Sequence, residues 1–284
     1  MGDDPLAVLK EGVKIVWSLG DYREIAAVLA PEADSLAAWC EVGPGRRVLD
    51  VAAGTGNLAV AAARLGARVA ASDLTPQMVA WGRERAAAEG LAIAWGEADA
   101  EDLPDPDERY DVVASMFGAM FAPRPARVVE ELFRVTKPGG TVAMANWAPD
   151  GFSGRLSELI AGAAPPFPVA LPSPMRWGDA DEVRARFADR AAVLDCERRA
   201  VRFAFGSIEE AFVFFASYTG GIVALRATAT PQRFEAFTDA MRALVADSCE
   251  PREGKVVLDN AYLAVRARKP VPWPAPRPGS EAGS

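Results

Sequence analysis

A doubly wound α/β fold with a mostly parallel sheet is predicted for this chain of 284 residues. Short apolar runs recur between residues 47 and 147, helical patterns separate them, and glycine, proline or a capping residue marks the boundaries. Strands that alternate with helices form parallel sheets through right-handed crossovers, which bring the carboxyl ends of the strands to one edge. A ligand site is therefore expected along that edge.

The elements follow in order along the chain. Residues 6–41 have apolar positions at helical spacing and are predicted to form short helices that break near Gly20 and Pro31. Strands are predicted at 47–52, 67–73, 91–99, 110–117 and 141–147, with helices at 57–65, 76–90 and 124–136. Thr75 is suited to cap the second of these helices, with Pro76 at its first position. KPGG at 137–140 is predicted to be a turn.

The pattern changes after residue 148, where proline, glycine and aromatic residues become frequent. Helices are predicted at 180–188, 207–218 and 231–248, and a sixth strand at about 193–205. Residues 255–268 alternate like a final strand, which makes seven strands in all. The proline-rich tail at 270–284 is predicted to be disordered.

Composition excludes several classes of function. A net charge of −8 and a pI of about 4.9 argue against nucleic acid or an anionic membrane surface as the partner. The three cysteines are far apart and the chain has no histidine, so neither a disulfide framework nor a metal site is expected. The chain begins with no signal-peptide pattern, and its longest uncharged stretch, 211–225, is shorter than a membrane helix. A cytoplasmic location is expected.

VLDVAAGTGNLAV at 48–60 carries the most specific signal. An apolar strand ends near an acid, and a Gly-Thr-Gly turn then opens an alanine-rich helix. Gly54 and Gly56 let the backbone approach a ligand, and the helix amino terminus offers free N–H groups to an anion. Both a dinucleotide and S-adenosylmethionine (SAM) suit such a turn, since Gly54-x-Gly56-x-x-Ala59 matches the loose dinucleotide pattern.

Polar residues at successive strand ends favour SAM. Asp50 ends the first strand, Asp73 ends the second, and Asp99 follows the third. Asp73 could accept hydrogen bonds from both ribose hydroxyls, and Asp99 could accept one from the adenine amine. Asp50 could hold the amino-acid end of the ligand, directly or through water. Leu74 and Met78 could pack on the two faces of the adenine. Asp73 has a structural alternative as a helix-capping acid and Asp99 as a solvated loop residue, whereas Asp50 is the hardest to explain by structure alone because it closes an apolar strand. The Tyr-x-x-x-Lys pair and the histidine that hydride-transfer enzymes use are both missing.

These motifs resemble those of the class I SAM-dependent methyltransferases. The matching segments are DVAAGTG at 50–56, with Ala52 where the family has its first glycine, ASDLTPQM around Asp73, EADAEDLP at 97–104, the YDVV strand and KPGG. The likeness covers about 35–150 and is strongest to the branch with the ubiquinone and menaquinone C-methyltransferases and many bacterial small-molecule methyltransferases. VWSLGDYREIA at 16–26 resembles the family's lid helix, which implies Trp17 and Tyr22 near the ligand, with motion of 6–30 gating its entry.

The resemblance implies a Rossmann-like core at 35–150, an N-terminal helical lid at 1–34, an acceptor-binding cap at 151–254 with the sixth strand, and a last core strand at 255–269 before the tail. It also implies no metal, with SAM as cofactor and S-adenosylhomocysteine as product. The residues expected to bind the cofactor are Trp17, Tyr22, Asp50, Ala52, Ala53, Gly54, Thr55, Gly56, Asp73, Leu74, Met78, Ala98, Asp99, Ala100, Ser115, Met116 and Phe117.

The function predicted is methyl transfer to oxygen, nitrogen or carbon of a small apolar or aromatic metabolite, in secondary metabolism. Proximity and exclusion of water would drive an in-line displacement. Candidate acceptor-pocket residues, each with core packing as the alternative, are Met120, Phe121, Trp147, Phe152, Trp177, Phe214 and Tyr218. No general base stands out; Tyr218 is a candidate. A SAM-binding protein that acts as a cyclase or a sensor, and a nicotinamide oxidoreductase, remain alternatives. A homodimer is compatible with the sequence.

Overall fold

The structure, a computed structural model, describes residues 5–165 and 170–272. The helices are α1 (Pro5–Ser18), α2 (Tyr22–Trp39), α3 (Asn57–Arg64), α4 (Pro76–Ala88), α5 (Pro125–Val135), α6 (Phe152–Ala163), α7 (Ala180–Phe187), α8 (Ile208–Tyr218), α9 (Gly220–Thr228) and α10 (Pro231–Ser248). The strands are β1 (Arg47–Val51), β2 (Arg68–Asp73), β3 (Ile93–Glu97), β4 (Tyr110–Met116), β5 (Thr136–Trp147), β6 (Val193–Phe205), β7 (Glu250–Arg252) and β8 (Lys255–Arg268). Two 3-10 turns lie at Ala119–Phe121 and Pro174–Gly178.

Seven strands form one sheet in the order β3-β2-β1-β4-β5-β8-β6, which confirms the predicted doubly wound fold. The five strands from β3 to β5 are parallel. β8 lies antiparallel between β5 and β6, so the sheet is mostly parallel, as expected. The three-residue β7 pairs with β8 as an eighth strand that the sequence pattern did not predict.

The strands at the centre of the sheet are apolar because they are covered on both faces. The last four residues of β1 are buried, and β5 is buried from residue 140 to its end. Strands covered on both faces are continuous apolar runs rather than alternating ones. This explains why the composition of these segments was sufficient to predict them.

The chain reverses its direction of travel across the sheet between β1 and β4. It moves outward from β1 to β3 and then returns to add β4 on the other side of β1. The loops that follow β1 and β4 therefore face each other at the carboxyl edge, which is where open α/β sheets bind ligands. The two loops touch: a Cβ placed on Gly118 would lie 2.1 Å from the carbonyl oxygen of Ala52.

Two predicted breaks are wrong. Pro31 lies inside α2, because the buried face that includes Leu29, Ala33 and Leu36 packs on the core and outweighs the backbone hydrogen bond that proline removes. KPGG belongs to β5, which begins at Thr136 with an irregular register beside β4 and a left-handed Gly139 (φ 73°). The break near Gly20 is confirmed, since α1 ends at Ser18 and α2 begins at Tyr22.

The cap region holds two helices that were not predicted, α6 and α9. Thr75 does occupy the N-cap position of α4, with Pro76 following, although its side chain accepts no capping hydrogen bond. The division into lid, core and cap stays a prediction, and α2 continues without a break through the proposed boundary at residue 34. Residues 273–284 of the predicted tail lie outside the described residues.

Within 5–165 and 170–272, no single helix has the length and apolar character to cross a membrane; α8 and α9, bent by 75° at their junction, meet that test only as a pair. In the same residues no group of three or more metal-ligating side chains is gathered in one place.

Candidate active site

A cleft opens at the carboxyl edge of the parallel strands, where open α/β sheets bind small molecules. Helices α1 and α2 form its outer wall, and the loops after β1, β2, β3 and β4 form its floor. The lining residues are Lys10, Val13, Trp17, Tyr22, Leu29, Asp50, Ala52, Ala53, Gly54, Thr55, Asn57, Leu58, Asp73, Leu74, Thr75, Met78, Ala98, Asp99, Ala100, Met116, Phe117, Gly118, Ala119, Phe121, Ala122 and Pro123.

Asp50 is a buried carboxylate with one free oxygen. Its Oδ2 accepts a hydrogen bond of 2.9 Å from the N–H of Ala59, in the first turn of α3, while Oδ1 is buried and has no partner. Loss of hydration raises the pKa of Asp50 to about 8; the Ala59 N–H opposes this shift and the charge of Asp73 adds to it. Asp50 thus caps α3 through Oδ2, and its Oδ1 can accept a further hydrogen bond.

Asp73 joins the ends of β1 and β2. Its Oδ2 accepts from the N–H of Gly54 and its Oδ1 from the N–H of Thr75, both at 2.8 Å. Burial raises the pKa of Asp73, and these two N–H groups and the side-chain hydroxyl of Thr75 oppose the shift. Because a carboxylate has about four acceptor sites, one stays available after these three bonds are made.

A charged cluster lies where the loop after β3 meets α1. The Nζ of Lys10 contacts both Asp99 Oδ2 and Glu101 Oε2, and the Nε of Arg124 reaches Glu101 Oε2 at 2.7 Å. The N–H of Glu101 donates to Asp99 Oδ1 at 2.9 Å. The side chain of Glu101 is completely buried between the two cations.

Aromatic rings close the opposite side of the cleft. The ring of Trp17 packs edge-on against Tyr22 at 5.7 Å between centroids and against Phe121 at 5.3 Å. Burial, and then the nearby charge of Asp73, raise the pKa of Tyr22. Phe117 lines the cleft and also stacks on Trp147 at 3.8 Å, so it joins the cleft to the core.

Two residues of the floor adopt left-handed backbone conformations that favour glycine. Ala52 has φ 52° and Phe117 has φ 59°, one at the end of β1 and the other at the end of β4. Such conformations strain a residue with a Cβ, and they recur at ligand sites where the surrounding structure holds them in place. Ala52 thus keeps the backbone shape of the glycine that the methyltransferase pattern has at its position.

Most of the predicted cofactor residues line this one cleft; Gly56 and Ser115 do not. Gly56 has φ 82°, and a Cβ on it would lie 2.6 Å from the ring of Trp95, so its backbone shape and packing explain the glycine. The Oγ of Ser115 is turned into the loop after β4, where it accepts from the N–H of Ala119 at 2.9 Å. Direct contact with the cofactor by the other predicted residues stays a prediction.

Of the predicted acceptor residues, only Phe121 lines the cleft. The others pack in the core or the cap because large rings fill space between elements: Met120, Trp147, Phe152 and Trp177 are buried, and Phe214 and Tyr218 pack against each other at 5.2 Å. The structure therefore does not bring Tyr218 to the cleft.

Sequence reasoning missed several lining residues, most clearly Lys10 and Val13. With Trp17 they fall at i, i+3 and i+7 on α1, which places them on one face of the helix. That spacing was a usable signal. Asn57 was also missed; it ties α3 to α2 by donating from Nδ2 to the carbonyl of Ala26 at 2.7 Å.

The sheet order, the glycine turn after β1 and the acids at successive strand ends define a Rossmann-like protein that binds an adenosine cofactor. Residues 48–140 match the family model described as a methyltransferase domain. An uncharacterised protein of Mycobacterium tuberculosis is 38% identical over 257 residues, covering 89% of this chain and 93% of its own. The ubiquinone/menaquinone biosynthesis C-methyltransferase of Azotobacter vinelandii is 31% identical over 188 residues, covering 64% of this chain and 72% of its own.

Among solved structures, a putative methyltransferase of Bacillus halodurans matches with a TM-score of 0.58 and 22% identity, covering 85% of this chain and all of that one. At that identity the match shows the fold alone. The family model and the sequence relatives show that the chain belongs to the class I SAM-dependent methyltransferases, with SAM as its cofactor.

Proposed function

We propose that this protein transfers the methyl group of SAM to an oxygen, nitrogen or carbon of a small apolar or aromatic metabolite. The observation that carries the proposal is the division of one cleft into an acidic edge, with Asp50, Asp73 and Asp99, and an aromatic wall, with Trp17 and Phe121. The first suits a cationic cofactor and the second suits an apolar acceptor.

The acidic edge fits the donor groups of SAM. The unpartnered Oδ1 of Asp50 can accept from the cofactor's ammonium group, and the remaining acceptor site of Asp73 can accept from the ribose hydroxyls. In this proposal Asp99, beside Lys10, accepts from the adenine amine. Of the described lining residues Lys10 is the sole lysine or arginine, so the same cleft offers little to the pyrophosphate of a dinucleotide.

Bound SAM would supply an electrophilic methyl carbon: the acceptor's electron pair would form a bond to it as the carbon–sulfur bond breaks, and the electrons of that bond would return to sulfur to give S-adenosylhomocysteine. The chain's own part is to place the acceptor and to exclude water. The rings of Trp17, Tyr22 and Phe121 do both, because they form a close-packed apolar wall.

The described lining residues offer no free general base. Asp73 and Asp99 are engaged by backbone N–H groups and Lys10, and the free oxygen of Asp50 is assigned to the cofactor's ammonium group. Burial beside Asp73 keeps Tyr22 protonated by raising its pKa. The acceptor's proton, where it has one to lose, therefore passes to water at the cleft opening or has left before binding. A nucleic-acid acceptor is disfavoured by the net charge of −8.

Methyl-labelled SAM incubated with the pure protein and a fractionated small-molecule extract tests the proposal, with products detected by mass spectrometry. We expect a labelled product whose fragmentation places the methyl on oxygen, nitrogen or carbon. S-adenosylhomocysteine binding without a labelled product in any fraction would favour a cyclase or sensing role. Nicotinamide cofactor binding, seen by fluorescence, would point to an oxidoreductase instead.

The variant Asp73→Asn tests the cofactor placement. It keeps the size of the side chain and one acceptor oxygen, but it removes the charge and the acceptor sites of the other oxygen. We expect a loss of S-adenosylhomocysteine affinity of about tenfold or more, since hydrogen bonds to charged groups are worth about 1.5–3 kcal/mol. Asp189→Asn, at an exposed position away from the cleft, is the control. Equal affinity in all three proteins would contradict this placement.

A further inference from the structure

Helix α1 presents one continuous face to the cleft. Lys10, Val13 and Trp17 all line it, and their spacing of three and four residues puts them on the same side of the helix. Trp17 reaches the aromatic wall, and Lys10 reaches the acidic edge, about two turns away. The position of this one helix therefore determines the shape of the cleft at both of its ends.

Packing alone holds α1 weakly. None of the residues from Leu6 to Ser18 is fully buried, and Val8 and Ile15 are 55% and 63% exposed. The helix does approach α9 closely, since a Cβ on Gly220 would lie 2.5 Å from the carbonyl oxygen of Val16. Elements with few buried apolar contacts open at a low free-energy cost.

The charge cluster supplies a second attachment, at the cleft itself. Lys10 is 14% exposed and contacts Asp99 on the rim and the completely buried Glu101. Arg124, which follows the aromatic 3-10 turn, holds Glu101 from its other side. Because one partner is buried, this pair is less screened by salt and more strongly coupled than an exposed pair.

We propose that Lys10 is a positioning residue for the bound cofactor: through Asp99 and Glu101 it holds α1, and with it Val13 and Trp17, against the cleft. Because α1 forms part of the wall around the bound cofactor, movement of α1 away from the cleft would speed its release. The Lys10 contacts therefore set how long the cofactor stays bound. The inference uses the SAM site described above and concerns which residue of this chain keeps it closed.

The test compares Lys10→Met with the wild type, using S-adenosylhomocysteine as the probe. Methionine keeps the length of the side chain and removes the charge, and Glu101 keeps Arg124 as a partner. We expect the dissociation rate of S-adenosylhomocysteine, measured by stopped flow, to rise about tenfold. This change lies between the effects of removing an exposed ion pair and of removing a fully buried one. Hydrogen exchange in 5–18 should be faster in the ligand-free variant as well. The melting temperature should stay within about 3 °C of the wild-type value.

Two further variants separate positioning from general effects. Lys14→Met removes a half-buried lysine of the same helix, whose partner Glu11 is 69% exposed, and should leave dissociation and exchange unchanged. Lys10→Arg should restore most of the wild-type dissociation rate, because arginine can reach both carboxylates.

The possible outcomes are distinct. Wild-type dissociation and exchange in Lys10→Met would overturn the inference, and so would an equal effect in Lys14→Met. A lowered melting temperature with unchanged dissociation would show a purely structural role and would also overturn it. Absence of S-adenosylhomocysteine binding by the wild type would instead overturn the proposed cofactor site, and this inference with it.

Discussion

Replacing Asp50 by asparagine is expected to change how the stability of the protein depends on pH. The pKa of Asp50 is raised to about 8 in the folded protein, mainly by burial, whereas an unfolded aspartic acid titrates near about 3.9. Between these values the folded state holds a proton that the unfolded state has released. The free energy of unfolding therefore falls as pH rises through this window and levels off above about pH 8.

The size of the effect follows from the pKa shift. Each pH unit in which the folded carboxyl is protonated and the unfolded one is not removes about 1.4 kcal/mol. Between pH 6 and pH 8 the first unit counts in full and the second less, because the folded group is then close to its own pKa. The wild type should lose about 2 kcal/mol relative to Asp50→Asn over this range. The range also lies above the pI of about 4.9, where solubility is lowest.

The assay is urea unfolding of the ligand-free protein at pH 6, 7 and 8, with the slope against urea held common across pH. Asp189→Asn, an exposed substitution, is the control and should follow the wild type. The reasoning is refuted if the curves of wild type and Asp50→Asn stay parallel over the whole range, because Asp50 would then be ionised in the folded state at pH 6.

Three further results are expected. At pH 7, S-adenosylhomocysteine binding should release about one proton from the wild type and none from Asp50→Asn, because the ligand's ammonium group favours the ionised Asp50 carboxylate. Calorimetry in two buffers of different ionisation enthalpy measures the number of protons released. Equal release by the two proteins would contradict the pairing of Asp50 with the ammonium group. Gly118→Ala should lower the free energy of unfolding by about 1–3 kcal/mol, because the new Cβ would lie 2.1 Å from the Ala52 carbonyl oxygen. Gly96→Ala is the control, since its new Cβ would have nothing within 4 Å. Comparable losses of stability for both variants in urea titrations would contradict the steric argument. Ala52→Gly should raise the free energy of unfolding by up to about 1 kcal/mol, since it relieves a φ of 52°; a loss of stability in the same titration would show that this backbone is unstrained.

The sheet and its acidic edge were predictable because local pattern and tertiary environment agree there. β1 and β5 are covered on both faces, so their apolar runs carry the whole signal. Asp50 and Asp73 stood out because a carboxylate at the end of a buried strand needs nearby donors, and each does receive backbone N–H groups.

The rest depended on contacts between distant parts of the chain. Pro31 interrupts the local helical pattern, but the buried face of α2 keeps the helix continuous. Trp177 and Phe152 were candidates for the acceptor pocket, with core packing as the alternative, and they fill the core. Residue type alone cannot distinguish these two apolar environments. Lys10 was not predicted as a site residue because its partner Glu101 lies 91 residues further along the chain, so no local pattern connects the two.

The position of β8 between β5 and β6 has a consequence for how the protein is made. β8 is the last of the described strands to be synthesised, and it pairs with both β5 and β6. Chains emerge from the ribosome amino terminus first at about 5–20 residues per second, so β1 to β5 are available before it. Until Arg268 emerges, β5 presents an open edge, and β6 has no strand to pair with among the described residues. A message truncated before Lys255 would therefore yield a polypeptide in which one edge of β5 and both edges of β6 are unpaired, the kind of product that aggregates and is degraded.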